Sequence, residues 1–304
     1  MENHERLKLP VMSLVIPSVN GWSDLRGALD AVYAQQGGGS IEVLVVERTG
    51  EIVRAAIRDS FPNATVIEVA LHVTIPQMRA MAFEAAQAEI VGVIEDHVIV
   101  PPDWTVRMLE AHAAGAQVVG GAVDNAATGT VVDWAAFLCE YSHCLNPPPS
   151  GPASWLTGNN ITYRKSLLQR FHGTLRQGRW EDALHDAIKD AGITLVSKPE
   201  IRVGHKKHYR IGEYTSQRYL YSRAYAALRI RDAPIFKRVF FGCATIALPP
   251  LIYWRVISEV IKSGRYRREL FCSLPLLAVF AVSWALGEAM GYWCGDGGAL
   301  AKVR

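Results

Sequence analysis

The chain has 304 residues, half of them hydrophobic and a fifth charged, which excludes a disordered chain and allows one large domain or two. A net charge of +3 and a pI near 8.6 are too mild to point to nucleic acid. Five cysteines, an odd number without zinc spacing, suit small buried hydrophobes in a reducing compartment.

The first ten residues, MENHERLKLP, hold no apolar stretch of the kind a secretory leader needs, so no signal peptide is expected. Residues 11–16 (VMSLVI) read as a buried strand closed by Pro17, and 18–21 as a loop. Ser23 is placed to cap a helix carrying Leu25, Leu29, Val32 and Tyr33 on one face, which the glycines at 37–39 end. Residues 41–46 (IEVLVV) form a second strand running into Glu47, 51–59 a helix, and 64–69 a third strand. Pro76 suits the first turn of the next helix, which holds Met78, Met81, Ala82 and Ala85.

Residues 90–94 (IVGVI) are a continuous apolar, β-branched run, as expected of a strand buried on both faces. The run stops abruptly at Glu95, Asp96 and His97, and Pro101-Pro102-Asp103-Trp104 follows. Strand and helix alternate at a spacing that calls for right-handed crossovers and a mainly parallel sheet. Ligands of such sheets sit outside the carboxyl ends of the strands. There, two acids and an imidazole can bind a divalent metal that in turn holds phosphate oxygens; the alternative is a solvated turn. Neither a G-x-G-x-x-G motif after the first strand nor a P-loop lysine motif is present, so dinucleotide binding and ATPase chemistry are unsupported.

Further along, 117–123 is an apolar strand interrupted by Gly120 and Gly121, 125–130 a turn, 131–141 a helix and 146–152 a proline-rich loop. Residues 155–163 read as a strand broken by Gly158, Asn159 and Asn160. Arg179-Trp180-Glu181-Asp182 opens a helix that Gly192 ends; acids in a first turn favour the helix dipole, so a capping role and a chemical role both stay open for this pair. Short strands are expected at 194–196 and 201–203, followed by a basic loop with His205, Lys206, Lys207, His208 and Arg210. Residues 214–231 are basic and aromatic, fitting either a helix along a membrane surface or an ordinary amphipathic helix.

Composition changes at Pro234. Residues 239–254 and 270–286 are uncharged, and Pro249-Pro250 should kink the first run. At 1.5 Å per residue each covers about 24–26 Å, a little short of the roughly 30 Å hydrocarbon core. Phe240, Phe241, Tyr253, Trp254, Tyr292 and Trp293 suit interfacial belts. Basic residues precede the first run (Arg229, Arg231, Lys237, Arg238) and fill the gap between the two (Arg255, Lys262, Arg265, Arg267, Arg268). A spanning hairpin puts these clusters on opposite sides, against the positive-inside tendency; a re-entrant or interfacial pair keeps both in the cytoplasm; a buried soluble hairpin is the third reading.

Taken together, LVIPSVNG (14–21), EVLVVERTG (42–50), Arg79, IEDHVIVPPDW (94–104), LTGNNITYRK (156–165) and RWEDALHDAIKDAG (179–192) resemble, in order, the motifs of a family 2 glycosyltransferase with the GT-A fold. The resemblance covers roughly residues 10–230. It implies an α/β fold with a Rossmann-like, mainly parallel sheet, and a nucleotide-sugar donor contacted by Pro17, Glu47, Arg79, Glu95 and Asp96. It implies Mn2+ or Mg2+ held by Asp96 and His97, with His205 adding a contact, because a divalent ion stabilises the departing diphosphate as a Lewis acid. The acceptor side falls on Gly158, Asn159, Asn160 and Trp180. The base that deprotonates the acceptor hydroxyl falls on Asp182, with Glu181 as neighbour or substitute, and the family's single displacement inverts the anomeric centre.

There are departures from the family pattern. Glu95 and His97 flank Asp96 where aspartates are usual, Glu47 replaces a commoner aspartate, and Ala80 stands where asparagine is common. No Arg-Trp pair follows Gln217, which argues for transfer of a single sugar. The expectation is a GT-A catalytic domain over 1–233 and membrane-anchoring helices over 234–304. The catalytic domain would face the cytoplasm at a bacterial inner membrane, and the acceptor would be lipid-linked (polyprenyl-phosphate-type) or another envelope molecule. Two rivals stand beside it: a catalytically silent relative acting as a membrane scaffold, and a nucleotidyltransferase, whose glycine- and lysine-rich phosphate loop is missing at 18–21.

Overall fold

The computed structural model describes residues 9–37, 39–230 and 233–304. The leader reading at residues 1–8, Gly38 of the helix-ending glycines and Arg231 of the basic cluster lie outside the described residues. The strands are β1 (Met12–Ser18), β2 (Ile41–Glu47), β3 (Thr65–Glu68), β4 (Ile90–Ile94), β5 (Val98–Ile99), β6 (Val118–Asn125), β7 (Gly151–Ala153), β8 (Asn160–Arg164) and β9 (Leu195–His205). The helices are α1 (Trp22–Tyr33), α2 (Glu51–Ser60), α3 (Ile75–Ala85), α4 (Trp104–Ala113), α5 (Val131–Tyr141), α6 (Lys165–Arg170), α7 (His172–Leu175), α8 (Glu181–Asp190), α9 (Ile211–Arg229), α10 (Ile235–Ala244), α11 (Leu248–Ser263) and α12 (Arg267–Cys294). The chain forms two compact units, one from residues up to 122 with 148–203, the other from 123–147 with 204–304.

The fold is α/β, with a nine-stranded sheet in the order β3-β2-β1-β4-β8-β6-β9-β5 and β7 paired to β9. β1, β2, β3 and β4 are parallel, and β8 runs antiparallel to both β4 and β6, which makes the sheet mixed. Every residue of β1 is buried, Pro17 included. Pro17 has no N–H, but β4 pairs with β1 only from Ser13 to Val15, so the missing donor breaks no bond there.

Local chemistry explains the helix starts. Thr74 and Gln77 close a capping box on α3, with Pro76 in its first turn. The start of α1 differs from expectation: Gly21, at φ 89°, makes the turn, so Ser23 lies inside the helix and caps nothing. The two short strands expected between 194 and 203 are one strand, β9. Its β7 partner spans only Leu195 to Ser197, so Pro199 interrupts none of that pairing.

Two histidines in the first unit are buried as neutral rings. His112 lies between the Ala116 carbonyl (2.9 Å) and Thr162 Oγ1 (2.8 Å), and His185 Nε2 meets the Tyr163 hydroxyl at 2.8 Å. Burial pushes each imidazole down to about 4. Their folded values lie below the unfolded value of about 6.5, so the stability they hold is full above that pH and lost as pH falls towards 4. The unfolding free energy from urea titration is therefore expected to drop between pH 6.5 and 4, by at most about 3 kcal/mol per histidine, and the midpoint with it. A flat midpoint over that range would mean that neither ring is held neutral.

In the second unit α9 and α12 run parallel side by side. Ser283 Oγ donates to the Thr215 carbonyl at 2.7 Å, Gly287 lies against Tyr219 and Ser222, and Gly291 against Arg223 and Ala226. A side chain at either glycine would overlap the backbone of α9. Between α9 and its neighbours, Arg218 is buried 3.2 Å from Glu140, with the rings of Tyr214, Tyr221 and Trp284 around its guanidinium. The break expected at Pro249-Pro250 comes just ahead of them: a 3-10 turn, Thr245–Ala247, separates α10 from α11, and the prolines sit in the first turn of α11. The helical stretches, Ile235–Ser263 and Arg267–Cys294, outrun the uncharged runs at both ends.

Candidate active site

The carboxyl ends of β1, β2 and β4 carry the polar residues that the apolar strands deliver. At the end of β4 Asp96 is buried, and its carboxylate accepts from Val19 N (2.7 Å), Asn20 N (2.8 Å), Asn20 Nδ2 (2.8 Å) and His97 Nδ1 (2.9 Å). Burial opposes its charge, yet the bonds from His97, Asn20 and Val19 outweigh that and hold the carboxyl below the usual aspartate range. Asp96 thus fixes the β1–α1 loop and the ring of His97. Val19 and Asn20 are positions that sequence reasoning passed over, because nothing local in SVNG names a partner 76 residues away.

His97 is buried with Nε2 aimed at Glu95 Oε2, 3.4 Å away. Burial disfavours its charge, but the Asp96 and Glu95 carboxylates prevail and push the ring up to about 10. Glu95 is half-buried. Its Oε2 also accepts from Asn159 Nδ2 at 3.1 Å, and its Oε1 lies 4.0 Å from Arg79 Nη2. Arg79, on α3, is buried, and its Nη1 donates to Glu181 Oε2 at 2.7 Å. Its guanidinium lies 6.0 Å from the ring of Trp180. An unbroken chain of charges, His97–Glu95–Arg79–Glu181, therefore joins the tip of β4 to the start of α8. Gly158 completes the wall: a Cβ there would overlap the Glu181 carboxylate.

The remaining residues singled out from the sequence have distinct surroundings. Asp182 is exposed in the first turn of α8, where its Oδ1 accepts from Ala183 N at 2.8 Å; partial desolvation raises its carboxyl above the usual value. Glu47 is fully buried at the end of β2 and is held by Thr49, Gly50 and Arg54. Pro17 is buried in β1 beside Val46. Asn160 braces the interior: its Nδ2 donates to the Ala122 and Ile201 carbonyls (2.8 and 2.9 Å) and its Oδ1 accepts from Trp104 Nε1 (2.8 Å). His205, expected in an open basic loop, is the buried last residue of β9 in the second unit, its ring 4.7 Å from that of Tyr141.

Glu95 and His97 suit a divalent cation. Two ligands bound at ~2.1 Å on adjacent positions of one ion stand ~3 Å apart, close to the separation of Oε2 and Nε2 here. The Asp96 carboxylate behind Nδ1 fixes the ring with Nε2 outward, as is usual for metal-binding histidines. Such an ion would have to displace the Nε2 proton.

Residues 13–172, more than half of the chain, match the family model described as glycosyl transferase family 2. No curated protein matches the chain.

Proposed function

Because the chain belongs to the family 2 glycosyltransferases, we propose that it moves a single sugar, with inversion, from a nucleotide-sugar donor to a lipid-linked or other cell-envelope acceptor. The observation that carries this reading is the run of charges from His97 through Glu95 and Arg79 to Glu181. It joins the polar end of β4 to the first turn of α8, which in this reading are the donor side and the segment of the acceptor base.

In this reading His97 and Glu95 hold Mn2+ or Mg2+, Asp96 acts through His97, and His205 is a further candidate from its own unit. When bound, the ion supplies Lewis-acid stabilisation of the diphosphate. Arg79 keeps Glu95 and Glu181 in place and presents positive charge to the phosphates. Glu47 and Pro17, both buried, shape the donor-nucleotide side from beneath, and Gly158, Asn159 and Trp180 form the acceptor side over the buried brace of Asn160. Asp182 takes the acceptor proton. It is the exposed member of the Glu181–Asp182 pair, and its raised carboxyl is a better base than an ordinary aspartate. Residues 1–233 act as the catalytic domain on the cytoplasmic side of a bacterial inner membrane, and 234–304 attach it. Two helices long and apolar enough to cross a membrane support that part of the proposal.

Thermal unfolding with a panel of nucleotide sugars, with and without manganese, tests the reading. One donor should raise the midpoint in a manganese-dependent way and release a nucleoside diphosphate on turnover. Binding without turnover would favour a silent relative, the reading motivated by the Glu-Asp-His tip, and pyrophosphate as product would favour a nucleotidyltransferase. Gly158→Ala should slow transfer by about 100-fold, because the added methyl drives Glu181 off Arg79 and misplaces the segment beside it. A normal rate in the Gly158→Ala chain would remove Glu181 from the site.

A further inference from the structure

We infer that the helical layer of the second unit lies flat in one leaflet of an anionic bilayer instead of crossing it. This rests on the membrane attachment proposed above and adds its geometry. Large apolar side chains stand exposed along α10, α11 and the first half of α12: Phe236 and Phe240 (67% each), Ile246 (85%), Leu251 (59%), Trp254 (69%) and Phe271 (76%). Such a patch marks an interaction surface.

One face of the rest of α12 is covered by α9, although Leu286 (58%) and Trp293 (46%) stand exposed on another. From Ser283 to Gly295 it is matched, turn by turn, to α9, a helix carrying Glu213, Arg218, Arg223 and Arg229. Its own Glu288 is buried, bonded to Trp284 and Tyr292. Carrying this half of α12 through the hydrocarbon core would take the charges of α9 with it, which the low dielectric strongly disfavours. What remains of α12 is 267–282, about 24 Å of helix, too short for a roughly 30 Å core.

Charge points the same way. Arg238 donates to the Tyr292 carbonyl at 3.0 Å, so α10 lies at the far end of α12, while Gly264 joins α11 to its near end. Lys237 and Arg238 therefore mark one end of the layer, and Lys262, Arg267 and Arg268 the other. A flat layer sets both clusters among anionic headgroups, whereas a spanning hairpin would send one across. The single occupant that meets an apolar face with basic ends is an anionic lipid surface.

The full chain is reconstituted in phosphatidylglycerol vesicles with Cys243 and Cys272 changed to Ser, native Cys294 kept at one end and Lys262→Cys placed at the other. An impermeant maleimide is added outside, and intact mass is read. Cys139 and Cys144 are buried and do not interfere. A flat layer gives two adducts or none on each molecule, whichever way it faces. One adduct per molecule overturns the flat geometry and leaves attachment standing. A chain that fails to float with vesicles, or covers the face as a soluble dimer, overturns attachment itself. The pair Trp254→Glu and Phe271→Glu should cut partition into phosphatidylglycerol vesicles at least about tenfold without lowering the melting temperature. Unchanged partition would place the contact elsewhere. Manganese-dependent donor binding, measured alongside, reports on the sugar-transfer proposal independently of all these outcomes.

Discussion

Asp182→Asn is expected to lower kcat for sugar transfer by roughly 10²- to 10⁴-fold, the range a positioned general base contributes, while donor binding stays at its normal strength. The amide has nearly the shape of the carboxylate and can still accept from Ala183 N, so the first turn of α8 should survive. What it cannot do is take a proton from an attacking hydroxyl. Glu181→Gln is the informative contrast. Glu181 is joined to Arg79, and its loss disturbs the wall around the acid more than it removes a base. A normal rate in Asp182→Asn with a collapsed rate in Glu181→Gln would transfer the role of base to Glu181. Single-turnover rates and donor affinity, taken on the same samples, separate the two.

Asp96→Ala should have the largest effect on the folded state. It strips the acceptor from two backbone amides, from Asn20 Nδ2 and from His97 Nδ1, all at a residue that is 1% exposed. Leaving buried donors and a buried ion pair without their partner costs about 3–5 kcal/mol. The β1–α1 loop and the His97 ring should then lose their fixed positions, and with them the manganese-dependent shift on donor addition. Urea unfolding reads the first effect and the thermal shift reads the second. Normal stability in the Asp96→Ala chain, with its response to manganese intact, would show that neither the loop nor the ring depends on this carboxylate.

Much of the architecture was legible in consecutive residues. The apolar run at 90–94, its abrupt polar end, the helix spanning Val131–Tyr141 and the two uncharged C-terminal stretches are local patterns of hydrophobicity, and these set strand or helix before any packing is considered. Five of the six ordered motifs fall within the residues that match the family model, for the same reason: each is a short stretch whose chemistry survives reading in isolation, while the motif at 179–192 lies beyond that match. Partner choice was not legible. Nothing near residue 96 says that its carboxylate is spent on Val19 and Asn20, and nothing near 79 says that its guanidinium meets an acid 102 positions on. The antiparallel insertion of β8 and the close glycine seam between α9 and α12 were equally hidden, because they follow from which surfaces fit once all elements compete for the same core. The sequence by itself therefore determined most of the elements and the family to which the chain belongs. Tertiary packing decided which residues face one another, since a hydrogen bond or ion pair across a hundred residues is chosen by shape and burial and leaves no trace in the local pattern.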